Sequence, residues 1–194
     1  MSSQVMSSQV MSSQTMTSQL ILMRHAKSSH GDLSLSDHDR PLNPRGQRDS
    51  PRMAAWLEEQ DCVPELILCS SSQRTRETAE LLLDNWQQQP TVRSIQDLYL
   101  SSPETMMDVL AENHHGFDRV MVLTHNPGIS MLASALAGRS LELVTAAVAV
   151  FEVDDLGGLW NPSASSHAPL SHILSHLGKQ GDCRLTHFAA PKTI

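Results

Sequence analysis

Leu20-Ile21-Leu22-Met23-Arg24-His25-Ala26-Lys27-Ser28 is a run of four apolar residues that leads straight into an arginine and a histidine. An apolar run of this length ending in polar residues predicts a buried strand that delivers side chains at its carboxyl end. In open α/β sheets that end is where ligands bind. The stretch therefore points to a fold class and to the edge where chemistry belongs.

Two further stretches repeat the pattern. Glu65-Leu66-Ile67-Leu68-Cys69 is a second short apolar strand, and it runs into Ser70-Ser71-Ser72-Gln73-Arg74-Thr75-Arg76-Glu77-Thr78. Serines followed by Glu77 and by Ala79, Leu81 and Leu82 predict a capped helix start. Residues 118–124 form a third clear strand, which ends in His125-Asn126-Pro127-Gly128. Helical patterning over residues 129–136 follows, closed by Gly138.

The segments between complete the alternation. Residues 28–43 are a loop, and Asn43-Pro44 opens a helix reaching about Gln60, with Asn43 as N-cap. Pro51 within it predicts a kink or a later start. Residues 91–95 are a weaker strand, and Ser102-Pro103-Glu104 caps another helix with Met106, Met107, Val109 and Leu110 inward. Residues 145–153 predict a buried strand, 154–181 a surface insertion with a short helix near 168–178, and 184–188 a last edge strand. Strands alternating with helices predict a three-layer α/β/α sandwich around a mostly parallel sheet.

Composition narrows the function classes. The 194 residues suit one α/β domain with a substantial core. A formal net charge of -7 argues against non-specific nucleic-acid binding. No apolar stretch approaches a membrane span. The three cysteines, Cys62, Cys69 and Cys183, form no C-x-x-C pair, so a disulfide framework is not expected and a reducing cytoplasm is the economical location. Residues 1–19 repeat a polar Met-Ser-Ser-Gln-Val unit that cannot bury enough apolar surface to offset ordering entropy. They predict a disordered tail ahead of one domain over 20–194.

Three strand ends thus carry Arg24-His25, Ser70 to Arg74, and Thr124-His125. Two histidines with two arginines at neighbouring strand ends suit a phosphate. Arginine offers fixed, permanently charged donors to phosphate oxygens, and helix amino-termini add backbone donors. A neutral histidine can attack phosphorus and split one hard displacement into two easier ones. Arginines can stabilise the charge on the equatorial oxygens, so this chemistry needs no metal or other cofactor. Plainer roles suit the remaining candidates. Asp37-His38-Asp39 reads as loop rather than metal cluster, and His172 and His176 as one face of a surface helix.

At this point the chain resembles the histidine phosphatase superfamily, also called phosphoglycerate-mutase-like. Leu22 to Ser28 looks like its first signature, with Ala26 where Arg-His-Gly is more usual. Arg-His-Ala-Lys-Ser, with Asp39-Arg40-Pro41-Leu42-Asn43 and Arg45-Gly46 downstream, is similar to the SixA-type phosphohistidine phosphatase branch. Ser70 to Ala79 matches the second motif and Thr124 to Gly128 the third. The resemblance covers roughly residues 20–153 and the final 188–192. It implies His25 as nucleophile, Arg24 and Arg74 as holders of the phosphoryl oxygens, and His125 as a further donor. Arg40 and Asn43 would line the pocket mouth. Asp97 would stand nearest to the position of a general acid, with Tyr99 and Glu104 as neighbours that could compete for the role.

The leaving group then decides the substrate class. Phosphohistidine has a weak P–N bond and demands less of a general acid than a phosphate ester does. The leading expectation is a metal-independent phosphatase acting on phosphohistidine in a protein. A small-molecule phosphomonoesterase and a phosphate-binding module without turnover are the alternatives.

Overall fold

The computed structural model describes residues 17–156, 159 and 183–194. Within them a six-stranded sheet has the order β3-β2-β4-β1-β5-β6. The strands are β1 (Ser18–Arg24), β2 (Leu66–Ser70), β3 (Thr91–Ile95), β4 (Arg119–Thr124), β5 (Val148–Val153) and β6 (Cys183–Ala189). β1, β4, β2 and β3 pair in parallel, while β5 runs antiparallel between β1 and β6. β1 begins at Ser18, so Ser18 and Gln19 are strand residues and not part of a tail. The insertion expected over 154–181 lies outside the described residues except for its first three positions and Leu159, and its helix with His172 and His176 lies wholly outside.

The alternation of side chains along a strand explains the layers. Leu20 and Leu22 of β1 face one side with Leu66, Leu68, Val120, Val122 and Phe151. There they pack on Met106, Met107 and Leu110 of α3 (Pro103–Asn113) and on Ile129, Leu132 and Ala133 of α4 (Gly128–Ala137). Ile21 and Met23 face the other side with Ile67, Cys69, Met121, Leu123 and Val150. Their partners are Met53, Ala54 and Leu57 of α1 (Pro44–Glu59) and Ala79 and Leu82 of α2 (Gln73–Leu83). Both faces of β1 are therefore buried, which is why its sequence is a continuous apolar run and not an alternating one.

Local chemistry sets the helix ends, with two departures from expectation. Asn43 caps α1, its Oδ1 accepting from the Gly46 N–H at 3.0 Å, and Pro44 takes the first helical position. Pro51 sits inside α1, which nevertheless starts at Pro44 and continues to Glu59. α2 starts after Ser72, but the Ser72 side chain makes no cap bond to the helix backbone. Glu77 closes no capping box. Its carboxylate accepts from the Leu42 N–H at 2.6 Å and from the Gln73 amide at 2.8 Å.

The pairings also fix two attachment points. Ser18 lies opposite Val153, and Val153 lies opposite Cys183. The start of β1, the end of β5 and the start of β6 are thus at the end of the sheet away from His25.

Candidate active site

β1 and β4 end side by side, with Arg24 opposite Thr124. The His25 N–H continues the ladder to the Thr124 carbonyl at 3.0 Å. His25 and His125 follow the two strands directly, and their ring centroids lie 5.0 Å apart. Arg74, one residue into α2, reaches between them from the end of β2. The three strand ends that stood apart in the chain therefore meet at one point.

A cavity of about 320 Å³ opens there, with Arg24, His25, Asp37, Arg40, Arg74 and His125 among its walls. The loop after β1 forms its rim and is pinned at several places. Gly46 is needed for this, because a Cβ at that position would stand 2.3 Å from the Lys27 carbonyl oxygen. That close approach lets the Asn43 N–H donate to the same carbonyl at 2.9 Å. Further along, the Gln73 N–H donates to the His38 carbonyl at 2.9 Å, which ties the loop to the start of α2.

Hydrogen bonds assign the protons on both histidines. His25 Nδ1 lies 2.7 Å from the Ala26 carbonyl oxygen, and a carbonyl can only accept, so Nδ1 carries the hydrogen. Nε2 is left with its lone pair, and Arg74 Nε donates towards it at 3.3 Å. Burial, reinforced by the charges of Arg74 and Arg24, pushes the His25 pKa down to about 3. His25 is therefore a neutral imidazole with a free Nε2. His125 accepts from Arg74 Nη2 at Nδ1 (3.2 Å), so its Nε2–H points to the Ser70 hydroxyl at 2.8 Å. Burial and the neighbouring His25 and Arg74 push its pKa down to about 2.

The cations are held by bonds that leave donors over. Arg24 gives Nη1 to the Leu143 carbonyl at 3.0 Å, while its buried Nε has no hydrogen-bond partner among the described residues. Burial lowers its pKa from the ordinary arginine value. Arg40 stands at the rim, with Nε on the Ser29 carbonyl at 2.8 Å and Nη2 on the Ser28 hydroxyl at 2.9 Å.

Asp37 was missed by the sequence reading and is central to the arrangement. Its carboxylate accepts from Arg40 Nη1 at 2.7 Å, Arg74 Nη2 at 3.0 Å and the Tyr99 hydroxyl at 2.7 Å. The Tyr99 hydrogen bond, followed by the charges of Arg74 and Arg40, lowers its pKa to about 2. The available signal was its spacing, three residues before Arg40 in the loop that follows the Arg-His pair.

Two expected site residues lie elsewhere. Asn43 spends its side-chain oxygen on capping α1. Asp97 is exposed on a 3-10 turn, Gln96–Leu98, and is not among the residues lining the cavity. That turn buries Leu98 and brings Tyr99, two positions on from Asp97, to the Asp37 carboxylate. The Thr124 hydroxyl donates to the Leu98 carbonyl at 2.6 Å and fixes the turn against the end of β4. Among the described residues, no three His, Cys, Asp or Glu side chains gather in a way that could hold a metal ion.

A neutral histidine facing a small cavity, surrounded by arginines at the ends of parallel strands, suits the binding of a phosphate group. The chain belongs to the histidine phosphatase superfamily, whose branch 1 family model matches residues 20–99. An uncharacterised chloroplastic protein of Arabidopsis thaliana is 33% identical over 159 residues, which span 77% of this chain and 72% of that protein. An uncharacterised protein of Mycobacterium tuberculosis is 35% identical over 119 residues, 61% of this chain and 72% of that one. Among solved structures, SixA from Agrobacterium tumefaciens shares the fold with a TM-score of 0.70 at 23% identity, covering 90% of this chain and 98% of its own. A phosphoserine phosphatase variant from Entamoeba histolytica, solved with phosphoserine, shares it at a TM-score of 0.55 and 12% identity, covering 91% and 98%.

Proposed function

We propose that the protein hydrolyses phosphohistidine on a protein through a covalent intermediate at His25. The observation that carries this reading is the neutral His25 imidazole, with its Nε2 lone pair beside the Arg74 guanidinium. In the first step Nε2 attacks phosphorus while Arg24, Arg74 and Arg40 take up the charge of the phosphoryl oxygens. The unpartnered Nε–H of Arg24 is a donor in reserve for one of those oxygens. The bond to the leaving nitrogen breaks, and its electron pair stays on that nitrogen. The phosphorylated ring then bears phosphorus on Nε2 and hydrogen on Nδ1, so it is a cation when formed. Water attacks phosphorus in the second step, the electron pair returns to Nε2, and phosphate leaves with the water's protons. One tautomer thus serves both steps: the ring gains and loses its positive charge with the phosphoryl group, and Nδ1–H never leaves the Ala26 carbonyl.

The leaving group favours the P–N substrate. Asp37 is a carboxylate in the cavity wall, and Tyr99 and the arginines keep it ionised, so it has no proton to give an alkoxide. A histidine leaving group has no such need. SixA, solved as a protein histidine phosphatase complexed with tungstate, shares the fold at a TM-score of 0.68 and 21% identity and lends the reading support. A small-molecule phosphomonoesterase is the second reading, favoured by the phosphoserine phosphatase of the same fold. Free thiols at the buried Cys62 and Cys69 fit a reducing compartment, which we take to be the cytoplasm.

The test compares a phosphohistidine-bearing protein with a panel of sugar and nucleotide phosphates. The reading expects the phosphohistidine protein to be the best substrate by kcat/KM, and an acid-labile phosphoenzyme that vanishes in His25→Ala. Full turnover by His25→Ala would sink the mechanism. A sugar or nucleotide phosphate preferred over phosphohistidine would transfer the assignment to the second reading.

A further inference from the structure

Asp37 is an anion in the wall of an anion-binding cavity, and that position is costly for an ordinary phosphate ester. Its carboxylate stands against the guanidinium groups of Arg74 and Arg40 that a phosphoryl group would use. It would repel the phosphoryl dianion of any substrate, and for an ester it would also repel the alkoxide that forms as the P–O bond cleaves. Loop strain does not force it there, because three donors from three parts of the chain hold it. They are Arg40 from the same loop, Arg74 from α2 and Tyr99 after the 3-10 turn. Tyr99 is itself set edge-on to His38 at 4.9 Å and to His125 at 5.4 Å. Besides Arg40 and Arg74, the charged and titratable groups that line the cavity with Asp37 are the cations Arg24 and Lys27, His30, and the neutral His25 and His125.

A carboxylate has about four acceptor sites. Arg74 and Tyr99 occupy Oδ2, and Arg40 occupies one site on Oδ1. One site on Oδ1 is left among the described residues, and the Asp37 side chain is 49% exposed and lines the cavity. A phosphoimidazole ring supplies the complement. When its nitrogen remote from phosphorus is protonated, the ring is a cation with one N–H.

Building on the phosphohistidine reading, we infer that Asp37 is a specificity-determining residue that accepts the remote ring N–H of the substrate's phosphohistidine and holds that ring in its protonated form. The step balances without a general acid. His25 Nε2 forms a bond to phosphorus, and the bond from phosphorus to the substrate nitrogen breaks. The electron pair stays on that nitrogen, and the proton stays on the remote nitrogen against Asp37. The leaving group departs as neutral imidazole. The same carboxylate offers nothing to an ester oxygen, so one residue favours P–N substrates and disfavours P–O ones.

The test measures phosphoenzyme formation in single-turnover mixing at saturating phosphoimidazole across pH, beside an aryl phosphate. In the wild-type protein the fall in rate at high pH should lie at least about one pH unit above the ring pKa of free phosphoimidazole, the displacement expected of an opposite charge at contact. In Asp37→Asn that fall should move back by about one unit. The rate ratio of phosphoimidazole to aryl phosphate should drop about tenfold. A wild-type fall at the free-ring value overturns the inference, whether or not the variant folds. Equal losses on both substrates in Asp37→Asn overturn it too, and would make Asp37 only a clamp for Arg74. Both of those results leave the phosphohistidine reading standing. Wild-type protein that forms a phosphoenzyme from aryl phosphate but none from phosphoimidazole would instead remove the reading and the inference together.

Discussion

The Ala26 carbonyl accepts the Nδ1–H of its neighbour His25 at 2.7 Å, and this bond decides which ring nitrogen can attack. The ring cannot turn to offer Nδ1 without losing a hydrogen bond in a buried place. The Ala26 N–H is in turn anchored to the Thr78 hydroxyl of α2 at 3.1 Å. The phosphoenzyme should therefore carry phosphorus on Nε2 alone. Phosphorus-31 and nitrogen-15 spectra of trapped protein distinguish the isomers, and an Nδ1 adduct would contradict the assignment.

Arg74 makes contacts that no other residue can replace. Its Nε meets His25 at 3.3 Å, and its Nη2 meets both His125 at 3.2 Å and the Asp37 carboxylate at 3.0 Å. Arg74→Ala should lower kcat/KM by about 10²- to 10³-fold, the loss typical of one oxyanion donor. Arg74→Lys should recover little of it, because an ammonium is a single point and cannot fork. An unchanged kcat/KM in Arg74→Ala would exclude Arg74 from the reaction.

Asn43 separates a structural role from a substrate-binding one. Its side chain caps α1 through the Gly46 N–H. Asn43→Ala should cost about 1 kcal/mol of stability, as removal of an N-cap does. The kcat/KM of the folded variant should stay within about twofold of wild type. Urea unfolding and steady-state assays read the two effects separately. A large rise in KM at wild-type stability would return Asn43 to the pocket.

Acid should destabilise the fold through its two buried imidazoles. The folded pKa values of His25 and His125 lie at about 3 and about 2, below the 6.5 of a free histidine. Between those limits the unfolded chain binds more protons, so stability rises with pH and falls as the solution is acidified. At pH 5 each imidazole should cost about 2 kcal/mol relative to pH 8. Asp37 acts in the same direction but over a lower window. Its depressed pKa of about 2 contributes stability above the unfolded carboxyl value, and that contribution is lost only as pH falls from about 4 towards 2. The urea midpoint should drop from pH 7 to pH 5 and drop less steeply in His125→Gln. A flat midpoint over that range would mean the histidines are not held neutral.

Ser70→Ala tests the far side of His125. The Ser70 hydroxyl is fully buried and accepts from His125 Nε2 at 2.8 Å. Its removal leaves a buried N–H without a partner, which costs about 1–3 kcal/mol. Thermal unfolding should show a lowered Tm, and an unchanged Tm would mean that another acceptor takes the proton.

The strand ends were legible because burial on both faces writes itself as an unbroken apolar run. Leu20 to Met23, Leu66 to Cys69 and Val120 to Leu123 all read this way, and each stops where polar residues begin. That placed His25, Arg74 and His125 at neighbouring strand ends, and the family resemblance supplied their expected roles. Asp37 could not be placed this way, because a carboxylate amid Ser34, Ser36, His38 and Asp39 has the composition of a solvated loop. Only the tertiary fold supplies its partners Arg74 and Tyr99, 37 and 62 residues away. Asp97 illustrates the same limit. Its place after β3 was readable, but a single 3-10 turn decides that Leu98 goes inward, Asp97 outward and Tyr99 back to the site.

The pairing of Ser18 with Val153 and of Val153 with Cys183 has a practical side. β1 spans seven residues, so these points lie ~20 Å from His25 at about 3.3 Å per residue. A reporter domain or affinity handle joined directly ahead of Ser18 would start behind the working edge of the sheet. A genetic addition there is expected to leave the cavity at His25 open.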